Sequence, residues 1–135
     1  MAGLNSPDML GASDVIAFVA TTDSAKAKAF YRDVLGLRFI ADDSFALVFD
    51  ANGTMLRIQK VRESPRAPFT TLGWQVADIA ATVGTLSKRG VVFERIPGIP
   101  QDAFGVWAAP GGDKVAWFKD PDGNILSVTQ FHASR

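Results

Sequence analysis

The chain has 135 residues, 47% of them hydrophobic, with no cysteine and with fourteen basic and fourteen acidic side chains that cancel to a net charge of zero. That length suits one domain with a core of its own. The scattered, balanced charge argues against a nucleic-acid surface, which wants a basic stripe, and against an anionic membrane partner. The missing cysteines exclude disulfides, thiolate nucleophiles and cysteine–metal sites, and no apolar run approaches the roughly 20 residues of a membrane span.

The opening MAGLNSPDML lacks the basic-then-apolar pattern of a secretory signal, so residues 1–11 read as a loose tail and the chain as a cytoplasmic domain. Residues 14–20 (DVIAFVA) are short, apolar and rich in β-formers, which predicts a buried strand. Thr22, Asp23 and Ser24 follow as N-cap candidates. Ala27, Phe30 and Val34 then recur at helical spacing until Gly36, a residue suited to the position just past a helix. Tyr31 lies one residue off that stripe and reads as packing. Strands at 37–41, 44–49 and 55–61 complete a β-α-β-β-β pattern, and residues 63–68, with two prolines in six, read as a linker.

The pattern then restarts. A strand at 70–76 leads to a helix capped by Asp78, carrying Ile79, Val83 and Leu86 and ended by Lys88, Arg89 and Gly90. A strand at 91–95 is followed by a longer connection containing a short strand at 106–109, turned by Pro110, Gly111 and Gly112 into residues 115–130 (VAWFKDPDGNILSVTQ). Those last residues read as a hairpin about Asp120-Pro121-Asp122-Gly123. Residues 45–59 echo it 70 positions earlier, in Ala46/Ala116, Asp50/Asp120, Asn52/Asp122, Gly53/Gly123 and Leu56/Leu126. The helix caps are only 55 apart, so the second copy takes in roughly fifteen extra residues before its hairpin. The expected architecture is α+β. Two tandem βαβββ units, 13–62 and 69–131 within a domain at 12–132, form a pseudo-two-fold, cavity-enclosing sheet with helices on its outer face.

Two motifs carry a family resemblance that covers about residues 13–131. AFYRDVLGL at 29–37 resembles the first helix, and FKDPDGN at 118–124 the closing hairpin, of the vicinal oxygen chelate superfamily. That group includes glyoxalase I, extradiol dioxygenases, and fosfomycin- and bleomycin-resistance proteins. The resemblance implies fold more than reaction, because such folds host several chemistries and plain binding. In the metal-dependent members the ligands are His, Glu or Gln on the first and last strands of each unit. Carried over to this chain, those positions are Ile16, Arg57, Thr71 and Ser127, and none is a competent ligand. The resemblance therefore implies a metal-free protein with no cofactor. The alternative is a metal-dependent lyase, isomerase or dioxygenase drawing ligands from Asp14, Gln59, Gln75, Glu94 and His132.

Strand alternation extends the four positions to their neighbours on the same face: Phe18, Met55, Gln59, Gly73, Gln75, Ile125 and Thr129. A type I turn with a glycine bulge would add Trp117 opposite Ser127 and Leu47 opposite Arg57. The expected ligand-binding set is thus Phe18, Leu47, Arg57, Gln59, Thr71, Gln75, Trp117 and Ser127. Taken singly, Phe18, Met55 and Ile125 also suit a core. Trp74 and Trp107 read as packing, with Trp107 alternatively a pocket lip. Arg57 pairs with a carboxylate, reaches solvent or awaits an anion. There is no Ser-His-Asp set, carboxylate pair or glycine-rich phosphate loop, so no catalytic residues are assigned. The expected function is metal-independent binding of a small aromatic or amphipathic molecule by a homodimer. A degenerate subunit acting through protein partners is the remaining reading.

Overall fold

The structure is a computed structural model that describes residues 9–133; residues 1–8 of the expected tail lie outside it. A single 3-10 turn, Leu10–Ala12, contributes nothing to the core. The first unit then runs β1 (Ile16–Thr21), α1 (Ser24–Ala29), β2 (Arg38–Asp42), β3 (Ala46–Ala51) and β4 (Thr54–Lys60). The second runs β5 (Thr70–Gln75), α2 (Ile79–Lys88), β6 (Trp107–Ala108), β7 (Lys114–Lys119) and β8 (Ile125–Gln130). Both helices begin where a carboxylate satisfies a free backbone donor: Lys26 N–H donates to Asp23 and Ala81 N–H to Asp78, each at 3.1 Å.

The strands form two four-stranded sheets, ordered β1-β4-β3-β2 and β5-β8-β7-β6, each with one parallel pair, β1 with β4 and β5 with β8. No ladder joins the sheets and they do not close into a barrel, but β1 and β5 lie edge to edge. The closing hairpin of unit two touches the end of β1, and the tip of the β3–β4 hairpin flanks a cavity with the end of β5. The two edges therefore run antiparallel, as the pseudo-two-fold of the repeat requires.

One core serves both units. It joins Val19, Leu47, Phe49, Leu56 and Ile58 of the first with Ile79, Val83, Phe118, Leu126 and Val128 of the second. Its link is the helical segment after α1, where Phe30–Val34 forms a π-helical turn, with Leu35 N–H donating to Phe30 O five residues back. The wider turn brings two adjacent aromatics inward. Phe30 meets Phe118 at 6.4 Å between ring centroids, and Tyr31 meets Phe49 at 6.1 Å. Tyr31 is fully buried, and its hydroxyl donates to Asp120 at 2.7 Å.

The two hairpins differ by one residue of register, and that overturns one expected lining position. In unit one the loop is only Asn52 and Gly53, with φ of 50° and 93°, so Ala51 pairs with Thr54 and Val48 stands opposite Arg57. Leu47 pairs with Ile58 on the core face, and both are fully buried. A one-residue slip moves a side chain through the sheet. The longer loop of unit two, with Gly123 at φ 84°, does put Trp117 opposite Ser127.

The strand expected at 91–95 is reduced to one bridge, between Phe93 and Phe118. The Gln101 amide takes the backbone groups that a longer ladder would use, donating to Glu94 O at 2.9 Å and accepting from Ile96 N–H at 2.7 Å.

The closing hairpin is bound to unit one through side chains. Asp122 accepts from the Thr21 hydroxyl at 2.6 Å and from the Thr22 backbone and hydroxyl at 2.7 Å each, and Asn124 donates to Ala20 O. Burial pushes the Asp122 carboxyl up, but the Thr21 and Thr22 bonds outweigh it and hold the group below its usual 3.8. Because the folded value is depressed, this stabilisation is present above 3.8 and lost as pH falls through the folded value. Urea midpoints are expected to hold steady above about pH 5 and to drop in stronger acid, with a shallower drop in Asp122→Asn. Tyr31→Phe should cost about 1–3 kcal/mol by the same measurement, since Asp120 stays buried with one donor fewer.

Candidate functional site

Each sheet buries one face under the helices and leaves the other open. On the open face of unit one, Phe18 and Val48 flank Arg57, with Ile16 and Met55 in the next row. Ile16, Phe18 and Met55 are 46%, 50% and 43% exposed, so they are surface residues of this face rather than core. At the start of β1 a cavity of about 450 Å³ is lined by Ile16, Ile40, Val48 and Met55, with Arg38 and Asp14 among its charged groups. Gln59 is exposed further along β4.

Arg57 has a partner. Its guanidinium lies 3.4 Å from Asp43 in the β2–β3 turn, a single contact between partly exposed side chains. Asp43 is held mainly by the backbone N–H groups of Phe45 and Ala46, which bring its carboxyl below the usual range, with Arg57 a smaller cause. Of the outcomes open to Arg57, the internal pair is the one observed.

On the open face of unit two, Gly73 on β5, Ser127 on β8 and Trp117 on β7 form one row, and Gln75, Thr129 and Val115 the next. Trp107 on β6 pairs with Val115 and stacks on Trp117, with ring centroids 6.1 Å apart and planes 26° from parallel. Thr71 sits in a bulge of β5 and spends its hydroxyl on Ile125 O at 3.2 Å. Of the eight expected lining residues, the structure sets Phe18, Arg57 and Gln59 on one open face and Gln75, Trp117 and Ser127 on the other. Thr71 lies at the edge and Leu47 in the core. Sequence reasoning missed Val48, which one residue of turn length conceals. It also read Trp107 chiefly as packing, although its place on the inserted segment was a usable signal.

The sequence profile of the Glyoxalase/Bleomycin resistance protein/Dioxygenase superfamily matches residues 13–128. The chain belongs to that superfamily. No curated protein matches the chain. Among solved structures it is similar to lactoylglutathione lyase from Agrobacterium tumefaciens, at TM-score 0.68 and 20% identity over 87% of this chain and 93% of that one. It is also similar to a member of the superfamily from Sphaerobacter thermophilus DSM 20745, at TM-score 0.66 and 22% identity over 87% and 97%. A third is TnmS3, an antibiotic binding protein from Streptomyces sp. CB03234, at TM-score 0.61 and 24% identity over 88% and 97%. At these identities the likeness establishes the fold and leaves the activity to the site.

A divalent metal does not fit the residues present. The four positions taken from the metal-dependent members hold an alkyl group, a paired guanidinium, a bonded hydroxyl and a serine, in Ile16, Arg57, Thr71 and Ser127. Among the described residues no three His, Cys, Asp or Glu side chains come together as a metal site. Glu94 is paired with Lys119, and His132 stands beside Gly112 past the end of β8.

The two faces of the β3–β4 hairpin separate in a stability measurement. Arg57→Ala, which removes a half-exposed pair, is expected to change the unfolding free energy by less than about 1 kcal/mol. Leu47→Ala, which opens a cavity in the core, should cost about 2–5 kcal/mol.

Proposed function

We propose that this protein binds a small aromatic or amphipathic molecule on the open faces of its sheets, without a metal. The observation that carries the reading is the composition of those faces. They present large apolar and aromatic groups to solvent, with only scattered polar ones, where a metal enzyme of this superfamily would hold a ring of donors. Exposed Ile16, Phe18 and Met55 gain by being covered, and the stacked Trp107 and Trp117 offer a flat wall. The likeness to an antibiotic binding protein is consistent with such a role. The reading includes a homodimer and a cytoplasmic location, the first measurable by sedimentation equilibrium.

Two titrations test it. Thermal unfolding with added Ni, Zn, Mn or Fe ions is expected to show no saturable stabilisation at micromolar metal, and a clear one would overturn the metal-free reading. 8-Anilinonaphthalene-1-sulfonate, an amphipathic aromatic probe, should bind the folded protein and shift the NMR signals of Phe18, Met55 and Trp117. Binding confined to the helix side would contradict the proposed site.

A further inference from the structure

Four polar or charged residues are buried among the described ones: Thr21, Asp120, Asn124 and Ser127. The first three are bonded. Thr21 donates to Asp122, Asn124 to Asp120 and to Ala20 O, and Asp120 accepts from Tyr31, Asn124 and two backbone N–H groups. Ser127 is 7% exposed, yet its hydroxyl makes no hydrogen bond to any described residue. Hiding a hydroxyl from water with nothing in return is unfavourable, and native interiors rarely leave one so. Among the described residues no completely enclosed side-chain polar atom is without a partner, so this oxygen still reaches solvent.

Gly73 lies directly against that hydroxyl. A Cβ at position 73 would lie 2.7 Å from the Ser127 Oγ, so any side chain there would press on the hydroxyl. The backbone does not require glycine at this place, because Gly73 is not among the positive-φ glycines. Glycine inside a strand forfeits packing and ordering entropy, and what it leaves here is the space in which the Ser127 hydroxyl lies. On the other side of Ser127 stands Trp117, itself stacked on Trp107. Strands two apart in a sheet are separated by about 9–10 Å, the width of a fused two-ring system.

We infer that Ser127 is the polar recognition group of the open face, and that its ligand is a flat one- or two-ring molecule with a hydrogen-bond acceptor on its edge. The ring lies over Gly73 against the Trp117 indole, and the Ser127 hydroxyl donates to the acceptor. The inference rests on the open face being the binding surface and adds what kind of molecule fits it.

Quinoline and naphthalene, flat bicycles that differ by one ring nitrogen, are the probes, and quenching of tryptophan emission reports their binding. In Ser127→Ala the affinity for quinoline is expected to fall about 5–10-fold while that for naphthalene stays within about twofold. Gly73→Val should weaken both by closing the approach. Ser127→Ala alone should leave the thermal midpoint unchanged or raise it, because an unpaired hydroxyl has been removed. Equal binding of the two probes by both proteins, or a lower midpoint in Ser127→Ala, would overturn the role of Ser127 while leaving the binding surface standing. Failure of both probes, and of 8-anilinonaphthalene-1-sulfonate, to bind would remove the surface itself.

Discussion

Between the first helix and the closing hairpin, the buried Asp120 accepts four hydrogen bonds: from the Tyr31 hydroxyl, the Asn124 amide, and the backbone N–H groups of Asp122 and Asn124. It is the point on which the rest of the structure depends. The backbone bonds shape the loop, so that Asp122 reaches Thr21 and Thr22 at the end of β1. The side-chain bonds tie that loop to a helix of the other unit. A charge in such a place is tolerated only because every lone pair is used.

Once the units are locked, the distribution of apolar surface follows from the topology. Each sheet covers its helix side with the common core, in which Phe30 meets Phe118 across the boundary between units and Tyr31 meets Phe49 within the first. Among the described residues nothing covers the opposite faces at Ile16, Phe18 and Met55, which stay in contact with water. In a chain of balanced charge, an exposed apolar face opposite a completed core is a surface for a ligand or a second molecule. On and beside that surface Ile16, Arg57, Thr71 and Ser127 offer an alkyl group, a paired guanidinium and two hydroxyls rather than a set of metal donors.

Much of the architecture was legible in the residues. The strand–helix pattern, the carboxylate caps at Asp23 and Asp78, and the repeat of the hairpin depend on local preferences and on periodicity, which neighbours in sequence express. The expected pairing of Trp117 with Ser127 follows from such a local rule, the geometry of a glycine turn. Applied to unit one, the same rule misplaced Leu47, because Asn52 and Gly53 close the shorter loop and shift the register by one. Residues 91–95 have strand-like composition, but Gln101, six residues beyond, takes the backbone groups on which a ladder would depend. Tyr31, one residue off its helical stripe, read as packing, and a π-helical turn is what carries it into the core and onto Asp120.

By itself, then, the sequence determined the two βαβββ units, their order, and the non-donor character of Ile16, Arg57, Thr71 and Ser127. These are matters of residue type and spacing. Only the tertiary structure decided that Arg57 is paired with Asp43, that Val48 rather than Leu47 shares its face, and that the two sheets remain unclosed. It also decided that Ser127, largely buried and without a hydrogen bond to any described residue, stands between a glycine and a tryptophan. Those outcomes turn on side chains up to 54 positions apart meeting across strands. One residue of turn length sends a side chain to the core or to the open face, and composition does not record which.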